Sequence, residues 1–309
     1  MCQVTIGLCV KNAEKTIKET LYSVINQDFP HEDMEIIAVD GHSKDETTNI
    51  IIDNLSKMDI NFKVYFDNGR GLAAARQIVV NNARGKYIVW VDSDVVLSKD
   101  FVKRQLDFIS KNTNVSVVIG QREHIELEGK VIDNTTSLFW CLLRNVYFGA
   151  TICRTQALRE VGGFDQRIKG ASEDNDIVFR MILAQWKLKI NPEARFFHKQ
   201  KETLTDLVNR GAWYGYGGYF MSRKYEGLIK IPYRLPPAYF GWGLKLSSKA
   251  FRKYHMKKSF LIPIVCLFFS IGWCLGYILG HIYGCGHLIK NHEIKKKKVL
   301  FVRKELRTL

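Results

Sequence analysis

The chain has 309 residues, of which 46% are hydrophobic and 12% aromatic. This composition excludes a disordered protein and a small disulfide-stapled scaffold, because a chain of this length can bury a large core. Its formal net charge of +15 predicts attraction to an acidic partner, and nucleic acid, nucleotide phosphates and an anionic membrane face would all satisfy it.

The cysteines and the first residues of the chain indicate the cellular compartment in which it lies. Seven cysteines, an odd number without a CxxC pair, indicate neither a disulfide framework nor a zinc site and favour a reducing compartment. A strand begins almost at once, with no positively charged segment followed by an apolar stretch, so we expect no cleaved secretory signal. We therefore expect the start of the chain to lie in the cytosol.

Short β-branched and aromatic runs alternate with segments of helical periodicity. This alternation predicts an α/β fold, with a mainly parallel sheet covered by helices on both faces. The predicted strands are residues 4–9, 34–39, 62–66, 86–91 and 115–120.

Three helices are predicted between these strands. The first covers residues 17–25, where apolar residues recur at helical spacing. The second is expected to open at Ser43, because Glu46 three residues later would complete a capping box. The third covers residues 72–83 and ends before Gly85.

Polar side chains follow the predicted strands at the points where they end. In an open parallel sheet, ligands bind beyond the carboxyl ends of the strands, so these residues are candidates for a binding site. Asp40 follows the second strand, and a carboxylate held there can accept hydrogen bonds from a nucleobase or a ribose. The structural alternative is that Asp40 caps the following loop. Lys11 and Asn12 follow the first strand.

Arg76 lies among alanines in the third predicted helix. An isolated charge in such a helix needs a partner, and a phosphate or a base would serve, while a solvated helix face is the alternative. In the preceding "GRG" stretch, Gly69 and Gly71 are expected to relieve backbone strain and not to cradle a phosphate.

Two carboxylates, Asp92 and Asp94, interrupt the apolar run of the fourth strand. Residues two apart on a strand point to the same side, so these carboxylates would repel each other unless a cation or donors lay between them. A hard divalent ion would satisfy both and would neutralise a departing diphosphate. The structural alternative is a turn, with Ser98 capping the next helix, since an Asp-x-Asp triplet alone occurs in many proteins.

Six stretches follow one another within residues 4–198: "VTIGLCVKN", "VDGHSKDET", "GLAAARQ", "VWVDSDV", "GATICRTQALREVGGFD" and "SEDNDIVFRM". In this order they resemble the family 2 glycosyltransferases with the GT-A fold. The resemblance implies inverting transfer of a sugar from a nucleoside diphosphate sugar, as in a hexosyltransferase, assisted by Mn²⁺ or Mg²⁺.

The resemblance also implies a donor site at the strand ends. The residue that matches Asp40 holds the base, and the arginine that matches Arg76 lies near the base and the phosphates. Asp92 and Asp94 match the metal-binding motif, and Asp94 is the more direct ligand. The remaining donor-binding residues expected here are Lys11, Asn12 and Ser93.

Catalysis is assigned by the resemblance to the "ED" pair Glu173 and Asp174, and by its position Asp174 is expected to be the base for an acceptor hydroxyl. With a lipid phosphate acceptor, which is already ionised, it would only orient the acceptor. The alternative is a helix start capped by Ser172. His198 resembles a histidine that completes the metal or diphosphate site, and a packed residue is its alternative. Residues 162–165, "GGFD", are expected to shape the acceptor-side loop.

The composition changes after the catalytic domain, which is predicted to cover residues 1–200. Residues 201–258 are rich in aromatic, glycine and basic residues and indicate either an interfacial segment or a lid. Residues 259–285 contain no Asp, Glu, Lys or Arg and are long enough for a membrane segment. Lysines flank this segment on both sides, so spanning, re-entrant and interfacial arrangements all stay open. The basic tail, 286–309, is expected to contact anionic headgroups or to stay solvated.

A stripe of small residues runs along the membrane segment, because Gly272, Gly276, Gly280 and Gly284 recur every fourth residue. Such a stripe permits close helix packing, so a homo-oligomer in the membrane is one hypothesis. Packing against another part of the same chain is the alternative.

These features predict a membrane-associated glycosyltransferase whose catalytic domain lies on the cytoplasmic side. Its expected acceptor is lipid-linked, either a polyprenyl phosphate or a glycan on a lipid diphosphate. The alternatives are a transferase acting on a polysaccharide or soluble acceptor and a catalytically inactive nucleotide-sugar-binding protein. We expect no nucleic-acid partner, because the basic residues concentrate around the apolar carboxyl-terminal segment and form no aromatic-interleaved platform.

Overall fold

The computed structural model describes residues 2–124, 131–142, 147–198, 203–225 and 234–284. The strands are β1 Val4–Val10, β2 Met34–Asp40, β3 Asn61–Phe66, β4 Tyr87–Asp92, β5 Val95–Leu97, β6 Val115–Glu123, β7 Ala150–Arg154 and β8 Lys187–His198. The α-helices are α1 Ile17–Ile25, α2 Thr47–Leu55, α3 Leu72–Asn82, α4 Phe101–Lys111, α5 Val131–Leu142, α6 Thr155–Glu160, α7 Glu173–Leu183, α8 Leu204–Lys224, α9 Pro236–Tyr254 and α10 Ile262–Tyr283.

These strands form one mixed sheet in the order β3-β2-β1-β4-β7-β6-β8-β5. The first four in space pair in parallel, as predicted, and β6 also pairs in parallel with β8. β7 runs antiparallel to β4 and β6, and β5 runs antiparallel to β8. The half formed by β3, β2, β1 and β4 is therefore all parallel, and the other half is mixed.

Helices cover both faces of the sheet. One core contains side chains from α1, α2 and α4, such as Ile17, Ile51 and Phe101. The opposite core contains side chains from α3, α6 and α7. β2 is buried at every position, which is the pattern of a parallel strand covered on both sides.

The loop that leads into α3 turns on two glycines. Gly69 and Gly71 have φ values of 72° and 97°. Their amides donate to the buried carboxylate of Asp67 over 2.7 and 2.8 Å. The prediction that these glycines relieve backbone strain is confirmed, because their φ values lie where other residues are strained.

The second helix begins later than predicted. α2 starts at Thr47, and the residue before it, Glu46, makes no capping hydrogen bond with its side chain. Ser43 lies in the preceding loop, where its hydroxyl donates to the Asp40 carboxylate over 2.5 Å. The predicted capping box is wrong, because a carboxylate at the end of β2 competes for the same serine.

The carboxyl-terminal half of α8 contacts the catalytic domain. Near its middle, a side chain at Gly217 would overlap the carbonyl oxygen of Ala171. At its end, buried Lys224 contacts Asp165 over 2.5 Å and Asp176 over 2.7 Å. Of the two arrangements predicted for this region, α8 therefore adopts the packed, lid-like one.

α10 packs along α8 through the glycine stripe. A Cβ atom at Gly272 would overlap the carbonyl of Val208, and one at Gly276 would overlap the carbonyl of Ala212. The contacts advance along both helices together, so the two helices run in the same direction. The stripe is occupied by the chain's own α8, and the structure favours the intrachain alternative over a homo-oligomer formed through these glycines.

The segment Lys257–Tyr283 is long and apolar enough to cross a membrane by length and composition. Half of its most apolar window is nevertheless buried inside the protein. α8 lies beside it, and the contacts at Gly272 and Gly276 place Arg210 of α8 level with the middle of α10. A bilayer around α10 would therefore place this charge at hydrocarbon depth, which is costly, and the interfacial alternative fits the packing better. The predicted basic tail, residues 286–309, lies outside the described residues.

Candidate active site

The carboxyl ends of β1, β2 and β4 lie side by side at one edge of the sheet. The strand register pairs Val10 with Asp40 and Cys9 with Asp92. The loops that follow these strands are therefore neighbours, and Lys11 is exposed among them. This arrangement confirms the prediction that the polar strand ends come together.

Asp40 is buried, and its carboxylate closes the loop after β2. Ser43 donates to it through its backbone amide over 3.1 Å and its hydroxyl over 2.5 Å, and the Thr48 hydroxyl donates over 3.0 Å. Asn12 joins this network, since its amide donates to the Ser43 hydroxyl and its side chain accepts from the Lys44 amide, both over 2.9 Å. The structure thus shows the loop-capping role, and a contact of Asp40 with a base stays a prediction.

The two carboxylates of the acidic triplet point to different partners. β4 ends at Asp92, and Ser93 and Asp94 form a turn, so the alternation expected of a continuous strand does not apply. Asp92 accepts from Arg76 over 3.5 Å. Asp94 contacts His198 over 2.9 Å. Their mutual repulsion is relieved by separation and by a donor for each carboxylate.

Arg76 is a buried hub between two elements. Its Nη1 donates to Oε1 of Glu173 over 2.8 Å. Its guanidinium carbon lies 5.8, 5.4 and 5.9 Å from the ring centroids of Trp90, Phe148 and Phe164, which is within the range of cation–π attraction. The solvated alternative for Arg76 is wrong, and in this structure its partners are carboxylates of the protein.

The "GGFD" turn supplies one wall of this hub. Gly162 and Gly163 have φ values of 81° and 67°. The turn is pinned to α3 because the amide of Phe164 donates to the side-chain oxygen of Gln77 over 2.6 Å. Phe164 is thereby placed against Arg76, so the loop shapes the site by positioning a ring.

Glu173 and Asp174 open α7. Ser172 precedes them with a φ of 88°, a strained conformation for a residue with a side chain, and it makes no capping bond. Burial raises the pKa of both carboxyl groups, and the nearby Arg76 guanidinium offsets this rise only in part. Glu173 is fully enclosed and held by Arg76, whereas Asp174 reaches the surface and accepts from the Asn175 amide over 2.7 Å. Of the pair, Asp174 is the carboxylate that a substrate can reach.

His198 lies between Asp94 and Arg122. The Nη2 atom of Arg122 is 2.7 Å from Nδ1 of His198. A guanidinium only donates, so Nδ1 accepts and the ring proton lies on Nε2, facing Asp94. Burial raises the pKa of Asp94, but His198, Arg210 and Arg122 outweigh it and hold that pKa below its ordinary value. In this tautomer His198 orients Asp94 and offers no lone pair to a metal at Nε2.

The acidic triplet has the donor chemistry for a divalent cation. The side chains of Asp92 and Asp94 are 34% and 26% exposed, so both can be reached from the cleft. In the described ranges, no group of three or more His, Cys, Asp or Glu residues could hold an ion unaided. Mg²⁺ and similar ions commonly combine one or two carboxylates with phosphate oxygens. The residues therefore fit a cation that is bound together with a diphosphate.

Several residues of the site were not predicted from the sequence. A side chain at Gly149 would overlap both Oδ2 of Asp92 and the hydroxyl of Tyr147, so this glycine leaves room for the acidic triplet. Burial raises the pKa of Tyr147 well above its ordinary value, and Asp92 and Asp94 raise it further. For Arg122 the signal was the polar end of a buried strand, and for Gly149 it was the place at the start of the "GATICRTQALREVGGFD" stretch, whereas Tyr147 carried none.

The chain is similar to known proteins in sequence and in structure. Residues 5–160 match the family model described as glycosyl transferase family 2. The chain is 26% identical over 229 residues to the poly-beta-1,6-N-acetyl-D-glucosamine synthase of Staphylococcus epidermidis, a match that covers 70% of this chain and 54% of the relative. It is 35% identical over 103 residues to a putative teichuronic acid biosynthesis glycosyltransferase of Bacillus subtilis, covering 33% of this chain and 40% of the relative. The chain thus spans about half the length of the curated relatives it matches most extensively.

Two solved structures are similar in fold. The mannosyltransferase PcManGT from Pyrobaculum calidifontis, in complex with GDP-Man and Mn²⁺, has a TM-score of 0.59 at 14% identity, covering 99% of this chain and 87% of that one. Staphylococcus aureus TarS in complex with UDP-GlcNAc has a TM-score of 0.51 at 16% identity, covering 91% of this chain and 92% of that one. At these identities the likeness shows a common fold.

Proposed function

Because the chain belongs to glycosyl transferase family 2, we propose that it transfers a sugar, with inversion, from a nucleoside diphosphate sugar to a lipid-linked acceptor. Its fold is the GT-A fold. The observation that carries the proposal is the contact of Arg76 with both Asp92 and Glu173, because it joins the acidic triplet to the carboxylate pair of α7. The donor site at the triplet and the acceptor site at α7 would thus be held next to each other by buried side chains.

In this proposal the donor lies along the strand ends. Its nucleoside contacts Lys11, Asn12 and Asp40, and its diphosphate lies at the triplet, with Ser93 between the two carboxylates. Asp92 and Asp94 would hold a Mn²⁺ or Mg²⁺ ion. When bound, the ion neutralises the charge that develops on the departing diphosphate.

The remaining roles in the reaction belong to side chains of the protein. Asp174 accepts the proton of an acceptor hydroxyl, for which a raised pKa suits it, and with a phosphate acceptor it only orients the nucleophile. Glu173 is a positioning residue, because it fixes the guanidinium that holds Asp92. His198 and Arg122 orient Asp94 in the same way from the opposite side.

Two other functions are alternatives for this chain. An inactive nucleotide-sugar-binding protein is disfavoured, because Asp92, Asp94 and Asp174 are all present and reachable. A polysaccharide acceptor is the second candidate, and the name of the staphylococcal poly-beta-1,6-N-acetyl-D-glucosamine synthase favours it. The described structure favours a lipid-linked acceptor through the exposed apolar surface of α10.

That surface, the apolar face, consists of five side chains. Ile264, Leu275, Ile278, Leu279 and Ile282 are 42%, 50%, 54%, 45% and 59% exposed. The basic pair at positions 257–258 precedes this face. An apolar helix face beside lysines is typical of helices that lie in the interface of an anionic bilayer. We propose that this face contacts the membrane, with the catalytic domain on the cytoplasmic side.

The function is tested by incubating the full chain in phospholipid vesicles with a panel of nucleotide sugars, Mn²⁺ and polyprenyl phosphate, and identifying products by mass spectrometry. One donor is expected to give a glycosylated lipid, and the Asp94→Ala variant is expected to give none while keeping its thermal unfolding temperature. Transfer to an added polysaccharide alone would favour the second candidate. Full turnover by Asp94→Ala in a chelator would contradict the role assigned to the triplet.

A further inference from the structure

A cavity of about 520 Å³ opens beside the acidic triplet. The ends of β6 and β8 form its floor, and α5, α8 and α9 form its walls. It lies across the triplet from Asp40, because β6 and β8 belong to the opposite half of the sheet from β2. His198 is shared between the cavity and the triplet.

The described lining of this cavity is strongly cationic. It contains four basic side chains and no carboxylate: Arg122, Arg210, Lys249 and Lys253. Lys249 and Lys253 stand four residues apart on α9, so they share a helix face, and like charges at this spacing destabilise a helix. A bound anion would remove this repulsion. Both lysines are exposed, and the ammonium of Lys253 also lies 4.9 Å from the centroid of the Tyr254 ring.

The same cavity also has apolar and aromatic walls. The rings of Trp140 and Tyr214 stack with centroids 6.2 Å apart, and the guanidinium of Arg210 lies 5.9 Å from the Trp140 ring. Leu142 and Ile190 add aliphatic surface. A lining that combines basic groups with apolar walls suits an amphiphile, in which a phosphate is joined to a hydrocarbon chain.

We propose that this cavity binds the phosphate of the acceptor, and that the acceptor is a phosphate-bearing lipid. The inference rests on the proposed function, which it makes more specific. The donor diphosphate is the other possible source of a phosphate, but its nucleoside is assigned to the strand ends near Asp40, on the far side of the triplet. The acceptor is therefore the substrate that reaches Lys249 and Lys253.

The transfer step balances without a proton acceptor. An ionised phosphate oxygen of the lipid forms a bond to the anomeric carbon of the sugar. The bond between that carbon and the donor diphosphate breaks, and its electron pair leaves with the nucleoside diphosphate. Asp174 is not needed as a base in this step, which agrees with its role as an orienting group for such an acceptor.

The test compares two double variants of α9. Lys249→Ala/Lys253→Ala removes two lining charges, and Lys245→Ala/Arg252→Ala removes two exposed charges of the same helix that do not line the cavity. Calorimetry in detergent measures the binding of farnesyl phosphate, with farnesol as the uncharged probe, and of nucleoside diphosphates with Mn²⁺. We expect the first variant to bind farnesyl phosphate roughly tenfold or more weakly, and the second to bind it like the wild type. Both should keep the wild-type affinity for the nucleoside diphosphate, and Lys249→Arg/Lys253→Arg should restore lipid binding.

The results that would contradict the proposed phosphate site can be distinguished from one another. Equal binding of farnesol and farnesyl phosphate would show that the cavity recognises no phosphate. An equal loss in both double variants would assign the effect to overall charge, and a loss of nucleoside diphosphate affinity in the first variant would assign the cavity to the donor. If no nucleotide or nucleotide sugar binds the wild type while farnesyl phosphate binds through the two lysines, the proposed function fails and the phosphate site stands.

Discussion

The guanidinium of Arg76 contacts carboxylates from two elements that are distant in sequence. Its bond to Glu173 spans 2.8 Å, and its contact with Asp92 spans 3.5 Å. Both Arg76 and Glu173 are almost completely enclosed, so neither charge can turn to water. Removing Arg76 leaves the Glu173 carboxyl group buried without its partner. Because burial already raises the pKa of Glu173 to about 8, this group then takes up a proton and does not remain as an uncompensated charge.

Arg76→Ala is therefore expected to lower the free energy of unfolding by about 2–4 kcal/mol, through the lost hydrogen bond and the cavity that the side chain leaves. Urea denaturation followed by circular dichroism measures this change. The matched control is Lys103→Ala, which breaks the exposed pair of Lys103 with Asp28, 3.4 Å apart, and should have little effect. Similar losses in both variants would show that the hub does not stabilise the fold.

Asp174 should give the reaction a dependence on pH. Its pKa is raised, first by burial, so below that pKa the group is protonated and cannot accept a proton. With a hydroxyl acceptor, kcat should therefore rise as the pH increases through this pKa, and Asp174→Asn should remove both the activity and this limb of the profile. A phosphate acceptor should show no such limb. A pH–rate profile with each acceptor type distinguishes the two cases.

The raised pKa of Asp174 also makes the stability of the fold depend on pH. A carboxyl group whose pKa is raised on folding binds more protons in the folded state, so its contribution to stability falls as the pH rises from the unfolded pKa through the folded one. Asp174→Asn should thus unfold at a higher temperature than the wild type at neutral pH. A thermal scan in which the variant is less stable at neutral pH would contradict the burial of this charge.

At the scale of elements, α8 and α10 depend on glycine. Because a Cβ atom at Gly276 would overlap the carbonyl of Ala212, Gly276→Ala should lower the free energy of unfolding by about 1–3 kcal/mol through overpacking. Gly241→Ala in α9 is the control, since nothing lies within 4 Å of a Cβ atom there, and it should be neutral or stabilising. Urea denaturation measures the free energy of unfolding of both variants. If Gly276→Ala keeps the wild-type stability but loses a crosslinked dimer in lipid, the stripe serves self-association after all.

Local connections explain where the predicted elements were right and where they were not. β1, β2 and β4 were found because each is apolar along its length and buried on both faces, and the edge strand β3 was found by its β-branched and aromatic residues. The short β5 and the late start of α2 were missed for a different reason. β5 is formed by pairing with β8, and α2 begins late because Asp40 binds Ser43, and neither partner is visible in the local pattern.

At the scale of the whole molecule, the apolar face of α10 predicts peripheral binding to membranes. Leu275→Gln/Ile278→Gln/Ile282→Gln removes three apolar side chains whose burial each contributes roughly 1 kcal/mol to binding, so vesicle affinity should fall about a hundredfold. The control is Tyr22→Gln, at an apolar site on α1 that is 71% exposed, and it should bind like the wild type. Cosedimentation with anionic vesicles measures both.

Alkaline carbonate should release the wild-type protein from these vesicles, because a helix that lies in the interface is not held as a spanning helix is. High salt should also weaken the binding, since part of the attraction is between lysines and anionic headgroups. Retention in the membrane fraction after carbonate treatment would restore the spanning arrangement.

The sequence by itself determined which residues could meet and what chemistry they could offer. Parallel strands bring their carboxyl ends to one edge, so the order of buried runs along the chain was enough to gather Asp40, Asp92 and Asp94, and the acidic start of α7 was recognisable by its motif. Periodicity predicts burial, and an apolar helix of this length without charge is long enough to cross a membrane. These are local properties, which the order of residues along the chain determines directly.

Only the tertiary structure decided the partners. Arg76 and Glu173 lie 97 residues apart, and His198 and Arg122 lie 76 apart, and no local pattern links either pair. The same holds for the glycine stripe, which faces α8, and for the cationic cavity, whose four basic residues come from three elements. The physical reason is that a contact between distant residues depends on how whole helices and strands pack, and that packing is settled by the complete chain together.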